Sequence, residues 1–278
     1  MINQIKTVVL LALITALFLV IGYFAAGIVG LTVAFILALI FNFLIYWFSS
    51  SIVLFMYQAK EADQDAYAKL HNLVREVSSR AALVKPKVYI IESDAANAFA
   101  TGRDPKHAAI AFTSGILKLL DEEELKGVIS HELSHIKNKD VLIATIAAVI
   151  AGAISYIAML ARFSALFGRS DDKNMNIAEL ILLGILAPII ALIIQLAISR
   201  SREFLADETG SKILRNSQGL ASALAKLNYE SKNKPLKTNT ATASLFIVNP
   251  LNGKGIMNLF STHPSIQERV GRLRAMKY

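Results

Sequence analysis

The sequence predicts a mainly α, α+β membrane protein, in which four transmembrane helices carry a small cytoplasmic domain with a short β-sheet. Three observations carry this reading. Hydrophobic residues make up 54% of the 278-residue chain and charged residues only 18%, below the roughly one quarter usual in soluble domains. Four apolar runs each approach or exceed the about 20 residues that a spanning helix needs. The polar remainder shows helical and strand-like patterns, enough for one water-facing domain.

The first run, residues 8–26, is uncharged. Its length, the single Lys6 before it and the second run that follows at once argue for a membrane helix rather than a cleaved signal. The second run spans residues 31–57. The link Gly27-Ile28-Val29-Gly30 reads as a tight turn, so residues 1–57 form a transmembrane hairpin. The third run, 141–161, and the fourth, 177–198, interrupted only by Glu179, Pro188 and Gln195, form a second hairpin over 141–198. Two water-facing segments remain, 58–140 and 199–278.

Charge sets the orientation. Of the 29 Lys and Arg residues, all but Arg162, Arg169 and Lys173 fall on one side of these runs. By the positive-inside rule that side is the cytoplasm, which then holds both termini and the whole water-facing domain of a multi-pass inner-membrane protein. The same rule accounts for the net charge of +8 without a nucleic-acid partner. The chain has no cysteine, which excludes disulfides and thiolate metal sites. A metal here must be held by His and carboxylate groups.

Within the first water-facing segment, Leu70, Leu73, Val74 and Val77 recur at helical spacing and predict an amphipathic helix over 61–83, stopped by Lys85-Pro86. Strands are expected at 88–91, 97–101 and 108–112, with Gly102 as a turn. Asp121 followed by Glu122, Glu123 and Glu124 marks a helix start, since acidic groups suit the free amides and the dipole there. Leu125, Val128 and Ile129 give that helix an apolar face. It should run through His131 and His135 and on into the third apolar run with little break. His71 and His107 are expected to be solvated. Beyond the fourth run, helices are expected over 199–214 and 218–229, and a mobile polar loop over 231–243. The capping box Ser265-Ile266-Gln267-Glu268 opens a last helix that ends near Met276.

The chemistry concentrates on His131-Glu132-Leu133-Ser134-His135. Histidines four apart on a helix leave the same face and can share one zinc ion, with Glu132 beside them to act on a zinc-bound water. This makes the domain zincin-like. A catalytic zinc needs a third protein ligand and an open position. Glu203, just past the fourth run, is the candidate, because a membrane hairpin returns the chain near where it left. Asp207 shares its helix face and can accept a hydrogen bond from a ligand histidine. An ordinary solvated acidic pair near Arg200 and Arg202 is the alternative.

At these residues the chain resembles the HtpX branch of the M48 membrane metallopeptidases. The resemblance runs through His131-Glu132-Leu133-Ser134-His135-Ile136-Lys137-Asn138-Lys139-Asp140 and Ser201-Arg202-Glu203-Phe204-Leu205-Ala206-Asp207. Asn97-Ala98-Phe99-Ala100-Thr101-Gly102 and Ser261-Thr262-His263-Pro264-Ser265 belong to it too. It covers nearly the whole chain, and Phe204 stands where relatives often carry Tyr. It implies a stress-linked endopeptidase of the cytoplasmic membrane that cleaves misfolded membrane proteins. It further implies one Zn2+ on His131, His135 and Glu203, with Glu132 catalytic. By the same resemblance, His263 is the candidate donor to the oxyanion, with a loop-ordering role as the alternative. Asn97, Ala98 and Phe99 are the candidate sheet edge on which an extended substrate pairs, with Phe99 as a plain core residue the alternative.

Two other function classes compete. In a membrane assembly factor with structural zinc, Glu132 would have no purpose beside the ligands. A small transporter would need charge in its membrane runs, and these are poor in it. The expected partners are unfolded or misfolded membrane proteins and the lipid bilayer, and self-association is left open.

Overall fold

The structure is a computed structural model that describes residues 2–152, 200–233, 245–248 and 264–278. Helix α1, Ile2–Met56, is broken at Ala26 and Gly27, where Gly27 adopts φ 59°. The break yields two antiparallel apolar helices, Ile5–Phe24 and Ala26–Met56, each long and apolar enough to cross a membrane. Gly22 and Gly30 let them approach: a Cβ on Gly30 would stand 2.0 Å from the Gly22 carbonyl oxygen. The turn thus begins at Ala26, one residue before the expected link. Asn42 ties the pair lower down, donating to Thr15 Oγ1 at 2.8 Å.

Strands β1 (Lys60–Glu61), β2 (Lys87–Ile91), β3 (Ala98–Gly102) and β4 (Ala108–Thr113) form one sheet in the order β1-β2-β4-β3. β2 and β4 are parallel, and the other two pairings are antiparallel. Strand alternation splits β4 between two cores. Ile110 and Phe112 face the domain core with Val88, Ile90, Val128 and Leu133. Ala109 and Ala111 face Leu10, Ile45 and Val53 of α1, together with Ile143. Small residues on that face let helices lie close to the sheet.

The remaining helices are α2 (Ala68–Arg80), the short α3 (Ser114–Leu119) and α4 (Glu122–Lys137), followed by α5 (Val141–Gly152). They continue with α6 (Arg200–Leu214), α7 (Gln218–Asn233) and α8 (Ile266–Ala275). Asp121 caps α4, as the sequence predicts, and Glu124 closes a full capping box with it. Ser265 likewise caps α8 by accepting from the Glu268 N–H.

Three expectations need correction. α2 starts at Ala68, not at 61, because Lys60 and Glu61 pair with β2 and Asp63 Oδ1 then accepts the N–H groups of Asp65 and Ala66 in a tight turn. His71 is buried rather than solvated: its Nε2 donates to the Ala62 carbonyl at 3.0 Å, and Lys85 Nζ donates to its Nδ1 at 2.8 Å. α4 does not run on into the third apolar run. It ends at Lys137, and Lys139 takes φ 56° before α5 begins. His107 is exposed, as expected. The third run beyond Gly152, the fourth run with its preceding link, most of the 231–243 loop and His263 lie outside the described residues.

Candidate metal centre

Three packed helices build the site. α4 carries the buried His131 and Glu132 and the half-buried His135. α6 crosses it so closely that a Cβ on Gly210 would meet Ser130 Oγ at 2.9 Å and the His131 nitrogen at 3.1 Å. Glu203, Asp207 and Gly210 follow at four- and three-residue steps, so one face of α6 meets α4. α7 locks the N-terminal end of α4: Glu124 accepts from Ser222 Oγ at 2.6 Å and from Lys226 Nζ at 2.7 Å.

The ligand atoms of His131, His135 and Glu203 lie within 4.8 Å of one another. The two Nε2 atoms are 3.2 Å apart, and each is 3.6 Å from a Glu203 oxygen. Two nitrogens bound to one tetrahedral zinc at its usual bond length stand about 3.3 Å apart. The second ring nitrogens are already engaged. His131 Nδ1 donates to Asp207 at 2.9 Å and His135 Nδ1 to Asp140 at 3.1 Å. Both donations leave the Nε2 lone pairs converging with a carboxylate, an arrangement that suits a cation.

Electrostatics agree. Burial opposes a charge on the His135 ring, yet Asp140, Glu203 and Glu132 raise it to about 10. Burial also pushes the Glu132 carboxyl above the ordinary carboxylate range, reinforced by Glu203 against the two histidines and the Ala100 N–H.

Arg269, on α8, completes the site. It is fully buried and forks onto Asp207 at 2.8 and 2.7 Å. Its Nη1 donates to the Ile247 carbonyl at 3.1 Å and lies 3.4 Å from Glu203. Burial works against a charged Asp207, but Arg269 and His131 hold its carboxyl below the usual range.

β3 borders the same site. Thr113 N–H donates to the Asn97 carbonyl, so alternation along the β3/β4 ladder turns the backbone groups of Ala98 and Ala100 outward. The Ala100 N–H reaches Glu132. The Ala98 carbonyl accepts the Ile247 N–H at 3.1 Å. Asn97 is buried, and its Nδ2 donates to the Val248 carbonyl at 2.9 Å. The chain's own residues 245–248 therefore lie against one end of the edge. Phe99 is fully buried, with its ring 5.2 Å from Phe246 and 5.7 Å from Tyr57. Its side chain is a core residue, and only the backbone of β3 is available to pair.

The structure thus brings together His131, Glu132, His135, Glu203 and Asp207, and sets Asn97 and Ala98 beside them. Sequence reasoning missed Arg269 and left Asp140 without a role. The signal for Arg269 was present: Ile266, Val270 and Leu273 form the apolar stripe of α8, and Arg269 sits on that stripe.

Comparison with known proteins follows the same lines. The profile of peptidase family M48 matches residues 64–277. A "Protease HtpX homolog" of Desulforapulum autotrophicum is 51% identical over 276 residues, covering 98% of this chain and 89% of that protein. Another, from Thermodesulfovibrio yellowstonii, is 51% identical over 277 residues, covering 99% and 98%. The crystal structure of S. mikatae Ste24p shares the fold with a TM-score of 0.54 at 18% identity. It matches 98% of this chain, which spans 65% of that longer protein.

Proposed function

The chain belongs to peptidase family M48 and is a membrane-associated metalloprotease, and from that premise we propose a zinc endopeptidase that cleaves unfolded or misfolded membrane proteins. One observation carries the proposal: two imidazole nitrogens and a carboxylate converge within 4.8 Å, with a second buried carboxylate, Glu132, beside them. His131, His135 and Glu203 would hold the zinc. The donor set favours it, because imidazole and carboxylate in a tetrahedral spacing with no thiolate suit a catalytic rather than a structural site. Bound there, zinc would polarise the scissile carbonyl and make water acidic enough to attack at neutral pH.

The chain's own groups do the rest. Glu132 takes the proton of the attacking water on its carboxylate and passes it to the leaving amine. Asp140 and Asp207 keep both ligand rings in the tautomer that binds metal. Arg269 holds Asp207 ionised. An extended substrate pairs with the outward backbone of Ala98 and Ala100, taking the place of the Ile247 N–H on the Ala98 carbonyl and of Glu132 on the Ala100 N–H; this mode asks little of sequence and suits unfolded chains. His263 would donate to the oxyanion. It lies two residues before the cap of α8, the helix that delivers Arg269 to the site.

Four membrane helices, with both termini and the catalytic domain in the cytoplasm, complete the proposal. The Lys and Arg bias and the two apolar helices of α1 support it. The deciding test is cleavage of an unfolded reporter by detergent-purified, zinc-loaded protein, wild type beside Glu132→Gln. Loss of about 10²–10⁴-fold in rate is expected with equal zinc content. Equal rates would defeat the assignment of Glu132 as base.

A further inference from the structure

A cavity of about 370 Å³ lies between the membrane hairpin and the catalytic domain, away from the metal site. Thr7, Val8, Leu11 and Tyr46 of α1 form one wall. The β3–β4 turn with Arg103 and Asp104 forms another, and Lys139, at the end of α4, closes it. Its size is that of a small-ligand pocket.

Its depth is set by α1. The second apolar helix has 31 residues, about 46 Å at 1.5 Å per residue, well beyond the about 30 Å of hydrocarbon in a bilayer. Counted from the turn at Gly27, the hydrocarbon ends about 20 residues on, at Tyr46 and Trp47. Those are the ring types that settle at the headgroup level. Arg103 stacks on Trp47 there, 4.6 Å from the ring centroid. The residues beyond Trp47 turn toward the domain, with Ser49, Val53 and Leu54 buried. Asn42 bonds to Thr15 and to the Leu11 carbonyl, so Tyr46 is level with Thr7 and Val8. The cavity therefore lies at headgroup depth. Below it, Val8 is 66% exposed and Trp47 48% exposed to the lipid side.

Charge selects the occupant. Lys139 is exposed, and its ammonium has no ion-pair or hydrogen-bond partner among the described residues, while its backbone N–H donates to the Ile136 carbonyl. Arg103 is 3.5 Å from Asp104. The Asp104 carboxylate is otherwise committed, accepting from His107 Nδ1 at 2.8 Å and from the N–H groups of Lys106 and His107. Lys106, next in the turn, adds a further exposed cation. We propose that this cavity binds one anionic phospholipid, its phosphate held by Arg103 and Lys139 and its acyl chains lying along Val8 and Leu11. The lipid would then sit one residue from Asp140, the acid that braces His135.

Trp47 is the only tryptophan in the chain and stacks with Arg103, which lines the cavity, so it reports on lipid bound there. Purified protein is reconstituted in phosphatidylcholine bilayers containing 5 mol% (about one lipid in twenty) of a lipid with brominated acyl chains, which quenches tryptophan on contact. Brominated phosphatidylglycerol is compared with brominated phosphatidylcholine. An apparent association ratio of about thirtyfold for the anionic lipid is expected from two cations at the surface. It should fall to near one in Arg103→Gln/Lys139→Gln. It should persist in Lys87→Gln/Lys118→Gln, which removes equal charge from residues that do not line the cavity. A ratio of one in the wild type overturns the proposal. So does an excess that survives the first double variant or vanishes equally in the second. The readout needs neither metal nor activity, so it stands or falls apart from the proposed protease mechanism.

Discussion

Replacing Arg269 with Met tests the least expected part of the site. The guanidinium has no solvent exposure and makes two bonds to Asp207 of 2.7 and 2.8 Å and one of 3.1 Å to the Ile247 carbonyl. Met fills similar volume but leaves Asp207 buried without its cation. Breaking a buried pair by removing one partner costs about 3–5 kcal/mol. For a domain of this size that lowers the melting temperature by about 10 °C. The cost should depend on pH in a defined sense. The folded-state pKa of Asp207 is lowered, so the pair's contribution is fully present above the unfolded carboxyl value of about 3.9 and is lost as pH falls through the lower folded value. Wild type and variant should therefore converge in strong acid. Asp207→Asn in the same background should recover part of the loss, because no unpaired charge remains. Metal affinity, read by chelator competition, should fall about 10–100-fold in Arg269→Met as Asp207 loses its hold on His131. Arg269→Lys keeps the charge without the fork and should fall between. A melting temperature within about 2 °C of wild type, with unchanged metal affinity, would refute the reasoning.

Three further outcomes follow from the same geometry. Asp140→Asn should weaken metal binding about 10–100-fold and bring the metal-free His135 ring down from about 10 toward ordinary imidazole values, as read by NMR titration; an unmoved ring would remove Asp140 from the site. Gly210→Ala places a Cβ 2.9 Å from Ser130 Oγ and 3.1 Å from the His131 nitrogen. It should force α6 off α4 at a cost of about 1–3 kcal/mol, and a melting curve that overlays wild type would show the contact to be slack. Glu132 acts as a base only when ionised, and burial raises its pKa. The acid limb of kcat/KM should accordingly lie above the ordinary glutamate value of about 4.3, with activity lost as pH falls through it. A limb at or below that value would count against Glu132.

What was legible in the sequence was local or periodic. The cap at Asp121 and the four-residue step between His131 and His135 depend on one helix alone, and both appear as read. Glu203 was reachable on the expectation that a membrane hairpin returns the chain to its starting side. The errors share a different origin. The segment before α2 carries a helical pattern, but Lys60 and Glu61 gain strand partners 28 to 30 residues away. His71 looked solvated because its partners come from outside its own helix: the Ala62 carbonyl, and Lys85 after a turn in which Ala82 adopts φ 56°. Asp140 comes back to His135 only through the positive φ of Lys139. Arg269 meets Asp207 across 62 residues. A hydrophobicity pattern records where side chains face, and is silent on which distant acid a buried cation will find.

The same non-local contacts tie the proteolytic site to the membrane. On the depth argued for Trp47 and Arg103, Lys139 lies at the headgroup level, and His131 is eight residues before it in sequence. At 1.5 Å per residue the metal ligands are at most about 12 Å along α4 from that level. An extended chain covers that distance in about four residues. On the proposed reading, a substrate that displaces the Ile247 N–H from the Ala98 carbonyl would reach that edge after barely leaving the bilayer, with no need to draw a span out of it. The break at Asn138–Asp140 serves both ends of this arrangement. A continuous helix into α5 would carry the Asp140 side chain away from His135 Nδ1. The turn instead sets Asp140 against His135 and Lys139 at the cavity, so one positive-φ residue joins the proposed metal site to the proposed lipid site.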